Sequence, residues 1–465
     1  MRSLMSEPGA GDRGAGGGGK PEVRDPSAAA ARRARMLLVA LIALGLMVRL
    51  ALALVMPEGR AAPTPDAWGN LQIGRSLAAG EGFVLPAEPR PDEARLPSAG
   101  PGSTAEPRSP EKLADRMPGY PLMVATALRL AEQGIRLLMA AQAVIGAVAM
   151  AFAAYLAWRL GGTWAGAAAA ALLVFDPYQV YACALVLPFV PLGLVLVALA
   201  GAGLKFIDVS GRGGRAWPWA ATAGLLAAAA AYLDWRMAGL AIVVGAAAAL
   251  APGRKRYLAG WAVGLAVLAV ALAPWLVRNM LVLDRPVLTT DLGLRLYAGA
   301  APRSEAPKGA EQGRDGEVAE LKAPLGLDEA GQDLFYLRAA TQRIAAAPAG
   351  WLKRVAARAA EIWSPWPVRE PGDLPLPPVA GYTSLLPAGA LALVGIWTFR
   401  RRAAVLVWLL AAPVYVTVAG ALLAGGVEER LPLAPVLAVL GGAGLAAMIT
   451  RPSPEEVAQV PEGVR

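Results

Sequence analysis

The sequence predicts an all-α polytopic membrane protein with about ten transmembrane helices and two long extracytoplasmic loops that contain amphipathic helices. Three observations carry this expectation. The chain has 465 residues, 56% of them hydrophobic, which is more apolar surface than a soluble fold can cover. Apolar segments close to the length of a bilayer span recur along it. Basic residues gather at alternate ends of those segments, as the positive-inside rule requires of cytoplasmic ends. The net charge of +9 therefore reads as membrane topology and not as a surface for nucleic acid.

The elements follow in order. Residues 1–35 form a cytoplasmic tail, and the Gly, Ala, Pro and charge of its first thirty residues read as disorder. After "RRAR" (32–35) comes the first span, 36–56, too long and too bare of a polar cleavage region to be an ordinary signal peptide. A first outer loop covers 57–134. The N-terminal transmembrane region, 36–276, continues with spans near 135–159, 162–176, 186–206, 216–233, 236–251 and 258–276. A second outer loop covers 277–385. Spans near 386–399, 403–424 and 431–449 follow, and residues 450–465 form a second cytoplasmic tail. Several of these spans hold about 15 residues, short of the roughly 20 of a straight crossing. The ends assigned to the cytoplasm carry "RRAR", Arg159, "GRGGR" (211–215), "GRKR" (253–256), "RRR" (400–402) and Arg451. The outer turns "LDWR" (233–236) and "EER" (428–430) each pair one arginine with acids. This places the protein in a cell (inner) membrane with its N-terminus in the cytoplasm and both long loops outside.

Composition limits the chemistry. There is one cysteine, Cys183, and no histidine. No intramolecular disulfide can form, and the commonest general base and neutral metal ligand are missing. Acid–base work falls to Asp, Glu, Tyr or Lys. A metal would have to be a hard, oxygen-bound ion such as Mg²⁺ or Mn²⁺. The residues name no cofactor and give no positive support for a divalent cation.

Several strings stand out in the outer regions. Thr64-Pro65-Asp66 is a helix start: Thr caps, Pro fits the first turn, and an acid there favours the helix dipole. Asp66 thus has a complete structural explanation. Asn70 lies one turn on, on the same face, and Gly80-Glu81-Gly82 ends the helix. Arg49 lies inside the first span, roughly 10 Å from its outer end by the rise of a helix. It either snorkels outward or meets a lipid phosphate near an outer cavity. Residues 88–115 are low in complexity. "DRMPGYPL" (115–122), with Arg116 and Tyr120, makes a rigid turn, and "LMVATALRL" after it suits a surface or re-entrant helix. Asp176 stands before Pro177. Arg278 and Asn279 follow Trp275 at an outer boundary, where interface anchoring is one explanation. Asp291 and Arg295 come next, one helical turn apart. In "AGWLKRVAARAAEIW" (349–363), Leu352, Val355, Ala359 and Ile362 form one stripe, with Lys353, Arg354 and Arg358 off it. That helix either lies in the membrane interface or packs on the loop's own small domain.

Taken together these strings resemble the GT-C class of membrane glycosyltransferases. They are most similar to glycosyltransferase family 39, the dolichyl-phosphate-mannose–protein mannosyltransferase-like group. The residues that carry the resemblance are "DAWGNLQIGRSLAAGEGF" (66–83), "RMPGYPL" (116–122), Arg236 in "LDWRMAGL", "PWLVRN" (274–279) with "GLRLYAGA" (293–300), "AATQRIAAAPAGWLKRVAARAAEIW" (339–363) and "ERLPLAPVLAVLGGAGL" (429–445). The resemblance implies a polyprenyl-phosphate-linked sugar as donor, a membrane lipid carrier, and transfer outside the membrane to a lipid, glycan or protein acceptor. It makes Asp66 the catalytic base. It makes Arg278, Arg236, Arg430 and Arg49, in falling order, candidates to bind the donor phosphate. Asn70, Arg116, Tyr120, Asn279 and Asp176 are then expected around the substrate cavity. Two positions depart from the family pattern. Ala67 stands where many members carry Glu, and Pro188 stands where many carry an acid at the start of the fourth span. These departures argue against a metal-dependent mechanism. They also keep open a catalytically inactive assembly component. A transporter is a third alternative, against which stands the lack of repeated halves with matching broken helices.

Overall fold

The computed structural model describes residues 26–85, 114–250, 254–301, 323–324, 326–365, 379–423 and 425–449. Residues 1–25 of the first tail, the whole of the second tail (450–465) and most of the low-complexity segment 88–115 lie outside the described residues.

Helices cover the described part of each of the ten apolar segments apart from a few residues at their ends. The first helix, α1 (Pro26–Val55), begins ten residues before the expected span. The reason is local: the Ala- and Arg-rich "AAAARRAR" that reads as a tail is also made of strong helix formers. In the first outer loop, α2 (Pro65–Ala79) starts as its sequence requires. The Thr64 hydroxyl accepts from the Ala67 N–H at 3.2 Å, and Gly80 closes the helix in the left-handed conformation at φ 85°. Twelve-residue α3 (Gly119–Leu130) packs on it. The approach is so close that a Cβ at Gly74 would overlap Val124.

The 41 residues of α4 (Gly134–Val174) are a helical hairpin in one stretch. Gly162 breaks the helix at φ 82°, which only glycine adopts without strain. The second limb then folds back, and a Cβ at Gly166 would stand 2.9 Å from the Ala154 carbonyl. The expected boundary between spans 135–159 and 162–176 falls at this turn. Then come α5 (Pro177–Ala182), α6 (Phe189–Gly211), α7 (Trp217–Leu233), α8 (Leu240–Leu250) and α9 (Arg254–Leu283). The C-terminal part holds α10 (Leu292–Ala300), α11 (Glu329–Ala346), α12 (Pro348–Ile362), α13 (Val379–Phe399), α14 (Ala403–Leu422) and α15 (Ala434–Ile449). Short 3-10 segments, Trp235–Gly239 and Val427–Leu433, lead into α8 and α15.

Among the described residues, six helices are long and apolar enough to cross a membrane by length and composition. The others of the expected ten are shorter, as α7 and α8 are, or are limbs of the α4 hairpin. The core sits where α4, α6, α14 and α15 meet around Leu173, Leu196, Leu409, Val439 and many alanines. Small residues let these backbones approach: Gly442 faces the Ala165 carbonyl, and Gly224 of α7 faces Gly264 of α9. Outward faces stay apolar, with Val270, Leu281 and Leu393 about 70% exposed or more, as suits contact with lipid.

The second long loop carries helices α10, α11 and α12. Here α10 and α11 pack around Tyr297, Ala298 and Ala340. Helix α12 corrects its sequence pattern. Leu352 of its apolar stripe is exposed, whereas Arg358, expected off the stripe, is buried. Arg358 donates to the carbonyls of Gly299 and, at 3.1 Å, Ala421, and Arg354 donates to Ala300 at 2.8 Å. The helix therefore docks on the ends of α10 and α14. The two outer loops are tied to one another. Thr290 N–H donates to the Ala114 carbonyl at 3.1 Å, Thr289 Oγ1 donates to the Asp115 carbonyl at 3.1 Å, and the Glu329 carboxylate accepts from Ala114 N–H and the Thr290 hydroxyl.

Candidate functional site

Asp66 projects from the first turn of α2 into a cluster of charges drawn from five segments. Its Oδ1 lies 3.1 Å from Arg116 Nη2 and 3.5 Å from Arg295 Nη2. Each of these arginines has a second carboxylate. Arg116 Nε is 3.5 Å from Asp115, and Arg295, one turn along α10, binds Asp291. The path continues electrostatically from Arg295 to Asp234. Asp234 is bound two-pronged by Arg236, with Nε and Nη2 at 2.9 and 2.5 Å, and Arg236 also holds Glu429. Gly69 makes room for the arrangement, because a Cβ there would fall 2.7 Å from Arg116 Nε.

The electrostatics follow from burial against pairing. Burial works against the charge of Arg116 and Arg295, but Asp66 and Asp115 for one, and Asp291 and Asp66 for the other, outweigh it and raise both pKa values. Burial pushes the Asp291 carboxyl up despite Arg295. For Asp234, Arg236 outweighs burial and holds the carboxyl below its usual range. Asp66 is the most exposed acid of its immediate group, at 28% against 10% for Asp115 and Asp291. A proton acceptor that an incoming molecule can reach is therefore Asp66.

The sequence-derived candidates divide into groups. Asp66, Arg116 and Arg236 come together in the cluster. Asn70 and Tyr120 lie beneath it and brace the turn at residues 183–188: Asn70 Nδ2 is 3.5 Å from the Val186 carbonyl, and Tyr120 Oη is 3.1 Å from Gln142 Oε1 and 3.4 Å from the Leu185 carbonyl. Burial pushes the Tyr120 phenol well above its usual range, so it stays protonated and donates these hydrogen bonds. Arg278 lies near the C-terminal end of α9, 4.9 Å from the Trp275 ring centre and 5.6 Å from that of Phe83. Its Nη1 donates to Asn279 at 2.8 Å, and Asn279 donates to the Val287 carbonyl at 2.7 Å. Arg49 does not snorkel. It is 2% exposed and donates to the Gly45 and Leu173 carbonyls at 3.0 and 2.9 Å. Arg49, Asp176 and Arg430 interact electrostatically as a separate group.

Sequence reasoning left Asp115, Asp234, Asp291, Arg295 and Glu429 out of the site. The signals were present as the i, i+4 spacing of Asp291 and Arg295 and as acids beside arginine in "LDWR" and "EER". The latter served only to place turns outside the membrane. Among the described residues no group of three or more Asp, Glu, Cys or His side chains is arranged to hold a metal ion. The clustered carboxylates face guanidiniums instead.

No protein-family model matches the sequence, and no curated protein matches it. Solved structures do. The archaeal oligosaccharyltransferase AglB from Archaeoglobus fulgidus, in complex with an inhibitory peptide and a dolichol-phosphate, aligns over 89% of this chain and 50% of its own, at 13% identity and a TM-score of 0.53. The apo form of the Archaeoglobus fulgidus oligosaccharyltransferase aligns over 90% and 50%, at 13% identity and a TM-score of 0.51. The chain spans about half the length of these structures. What it shares with them is the fold.

Proposed function

We propose that this protein transfers a sugar from a polyprenyl-phosphate-linked donor to an acceptor on the outer side of the membrane, with Asp66 as general base. The observation that carries the reading is the placement of Asp66. It is the reachable carboxylate of a buried ionic cluster, under two outer loops that are hydrogen-bonded to each other, on a GT-C fold. Arg116 and Arg295 lie against its carboxylate. In the reaction the acceptor hydroxyl gives its proton to Asp66, and its oxygen bonds to the anomeric carbon of the sugar. The bond from that carbon to the lipid phosphate breaks, and its electron pair stays on the phosphate oxygen. A cation at the bilayer surface stabilises that charge. Arg278, partly exposed at the outer end of α9, is the candidate best placed to do so. Arg236 is engaged by two carboxylates and Arg49 by two carbonyls. A family 39-like activity, an inner-membrane location and a cytoplasmic N-terminus belong to the same proposal. Its support is the ordered resemblance of "DAWGN", "RMPGYPL" and "PWLVRN", together with the dolichol-phosphate bound by AglB.

Mass spectrometry of lipids and glycans from cells with and without the protein tests this. A glycoconjugate shorter by one sugar, with accumulation of one polyprenyl-phosphate sugar, is the expected result. An identical profile in both cells would contradict it.

A further inference from the structure

A pocket of another kind lies at the end of the bundle away from the Asp66 cluster. Asp234 follows the last residue of α7, and Glu429 lies beyond the end of α14. The opposite ends of these two helices, with parts of α6, α8 and α9, enclose about 830 Å³ of space. Close contacts fix its walls. The Trp408 ring stands where a Cβ at Gly203 would be, and the Phe206 ring where one at Gly260 would be. The Trp261 indole, also on the wall, donates its N–H to the Ala241 carbonyl at 2.8 Å. Among the described residues no charged side chain lines the pocket. It reaches the surface of the bundle, where Leu265 is 38% exposed and Ala404 is half-buried. Beside it in the chain stand exposed cations. Arg256 precedes the lining residue Tyr257, and Arg402 stands two residues before Ala404. The acid next to lining residue Ile207, Asp208, is held by Lys205 and Arg212 at 3.4 and 2.6 Å.

Space of this size with apolar walls suits an apolar ligand. Water is a poor occupant, because the walls offer it few polar partners. Left empty, the pocket would deprive its walls of dispersion contacts. In a membrane the apolar matter at hand is a lipid chain. The cations beside the pocket select among lipids, since an arginine at a bilayer surface favours anionic headgroups by about 1 kcal/mol. We propose that this pocket holds an acyl chain of an anionic glycerophospholipid, with the headgroup at Arg256 and Arg402. Helix α14 rises about 27 Å from Ala404 to Leu422, close to the thickness of a bilayer core. The lipid therefore sits in the leaflet remote from Asp66 and takes no part in the chemistry there. It fills the seam between α6, α7, α9 and α14 and stabilises the bundle by binding its folded form. The proposal stands whether or not Asp66 transfers sugar.

Native mass spectrometry of the purified full-length protein tests it, with four probes. Dioleoyl phosphatidylglycerol is the expected ligand. Dioleoyl phosphatidylcholine has the same chains under a zwitterionic headgroup, dihexanoyl phosphatidylglycerol has the same headgroup on short chains, and undecaprenyl phosphate is a different anionic lipid. Wild type should bind dioleoyl phosphatidylglycerol about tenfold or more tighter than each of the others. Ala404→Trp, which puts an indole into the pocket, should weaken that binding about tenfold or more. Arg256→Gln with Arg402→Gln should bring it down to the level of dioleoyl phosphatidylcholine. The double variant changes exposed side chains only, so it remains informative if Ala404→Trp fails to fold. Leu393→Trp, exposed on α13 outside the pocket, should leave binding unchanged. Dioleoyl phosphatidylglycerol binding equal in wild type and Ala404→Trp overturns the pocket as the site, as does an equal loss in Leu393→Trp. Equal wild-type affinity for the two dioleoyl lipids, or an unchanged preference in the double variant, overturns the headgroup assignment. Dihexanoyl phosphatidylglycerol binding as tightly as the dioleoyl lipid overturns the role given to the chain. Tighter binding of undecaprenyl phosphate, lost in Ala404→Trp, overturns the choice of a glycerophospholipid.

Discussion

Arginine is held in two ways in this protein, and the contrast separates the Asp66 cluster from the rest. Around Asp66, the guanidiniums of Arg116, Arg236 and Arg295 are held by carboxylates. Elsewhere Arg49, Arg354, Arg358 and Arg430 are held by backbone carbonyls, those of Leu173, Ala300, Gly299, Ala421 and Ile362 among them. Those carbonyls belong to the last turns of α4, α10, α14 and α12, where helices leave acceptors unsatisfied and the dipole is negative. The carbonyl-held arginines join helix ends. The carboxylate-held ones are balanced, and taking one away leaves acids behind in a buried site.

The largest effect expected from this contrast is on stability. Arg236→Met leaves Asp234 and Glu429 without their shared cation, and breaking a buried pair this way costs about 3–5 kcal/mol. Thermal unfolding in detergent should show the loss. The triple change Arg236→Met, Asp234→Asn, Glu429→Gln should restore most of it. If Arg236→Met alone is as stable as wild type, the acids are not charged in the fold and the contrast fails. A smaller loss is expected at Arg358→Met. It removes bonds to the Gly299 and Ala421 carbonyls that contribute about 1.5 kcal/mol each, the lower end for a charged donor. A loss at Arg358 as large as that at Arg236 would erase the distinction.

The smallest effect is on the pH dependence of the α10–α11 pair. Asp333 accepts from Gly293 N–H and so joins α11 to α10. Burial pushes its carboxyl up to about 6 although that hydrogen bond pulls it down. Its folded value thus lies above the unfolded value of about 3.9. The stability linked to it is fully present below about pH 4 and is lost as pH rises through 6. Hydrogen-exchange protection of α10 and α11, corrected for intrinsic rates, should fall between pH 4.5 and 7, and Asp333→Asn should flatten the change. Equal protection across that range in the wild-type protein would dismiss the Asp333 linkage.

The sequence revealed the helices better than the site. Apolar length and the caps Thr64 and Gly80 are local signals, so the spans and α2 were legible. Even the hairpin turn at Gly162 fell where the apolar run paused. The start of α1 was hidden because an Ala- and Arg-rich run serves a tail and a helix equally well. In the site, Asp66 and Arg116 were legible as members of ordered strings. Their joining to Arg295 was not, since it depends on how α10 returns over α2 across more than two hundred residues. Arg354 and Arg358 misled because a cation off an apolar stripe reads as solvent-facing, whereas helix ends packed beside it offer carbonyls that need a donor.

The most direct test of the account is the rate of sugar transfer by Asp66→Asn. The donor would be the polyprenyl-phosphate sugar that accumulates in cells lacking the protein. Arg116 and Arg295 each keep a second carboxylate in this variant, so it should fold and retain wild-type thermal stability within about 1 kcal/mol. Its transfer rate should fall at least about 100-fold, the lower end of what a general base contributes. A folded Asp66→Asn protein that transfers sugar at the wild-type rate would contradict the account.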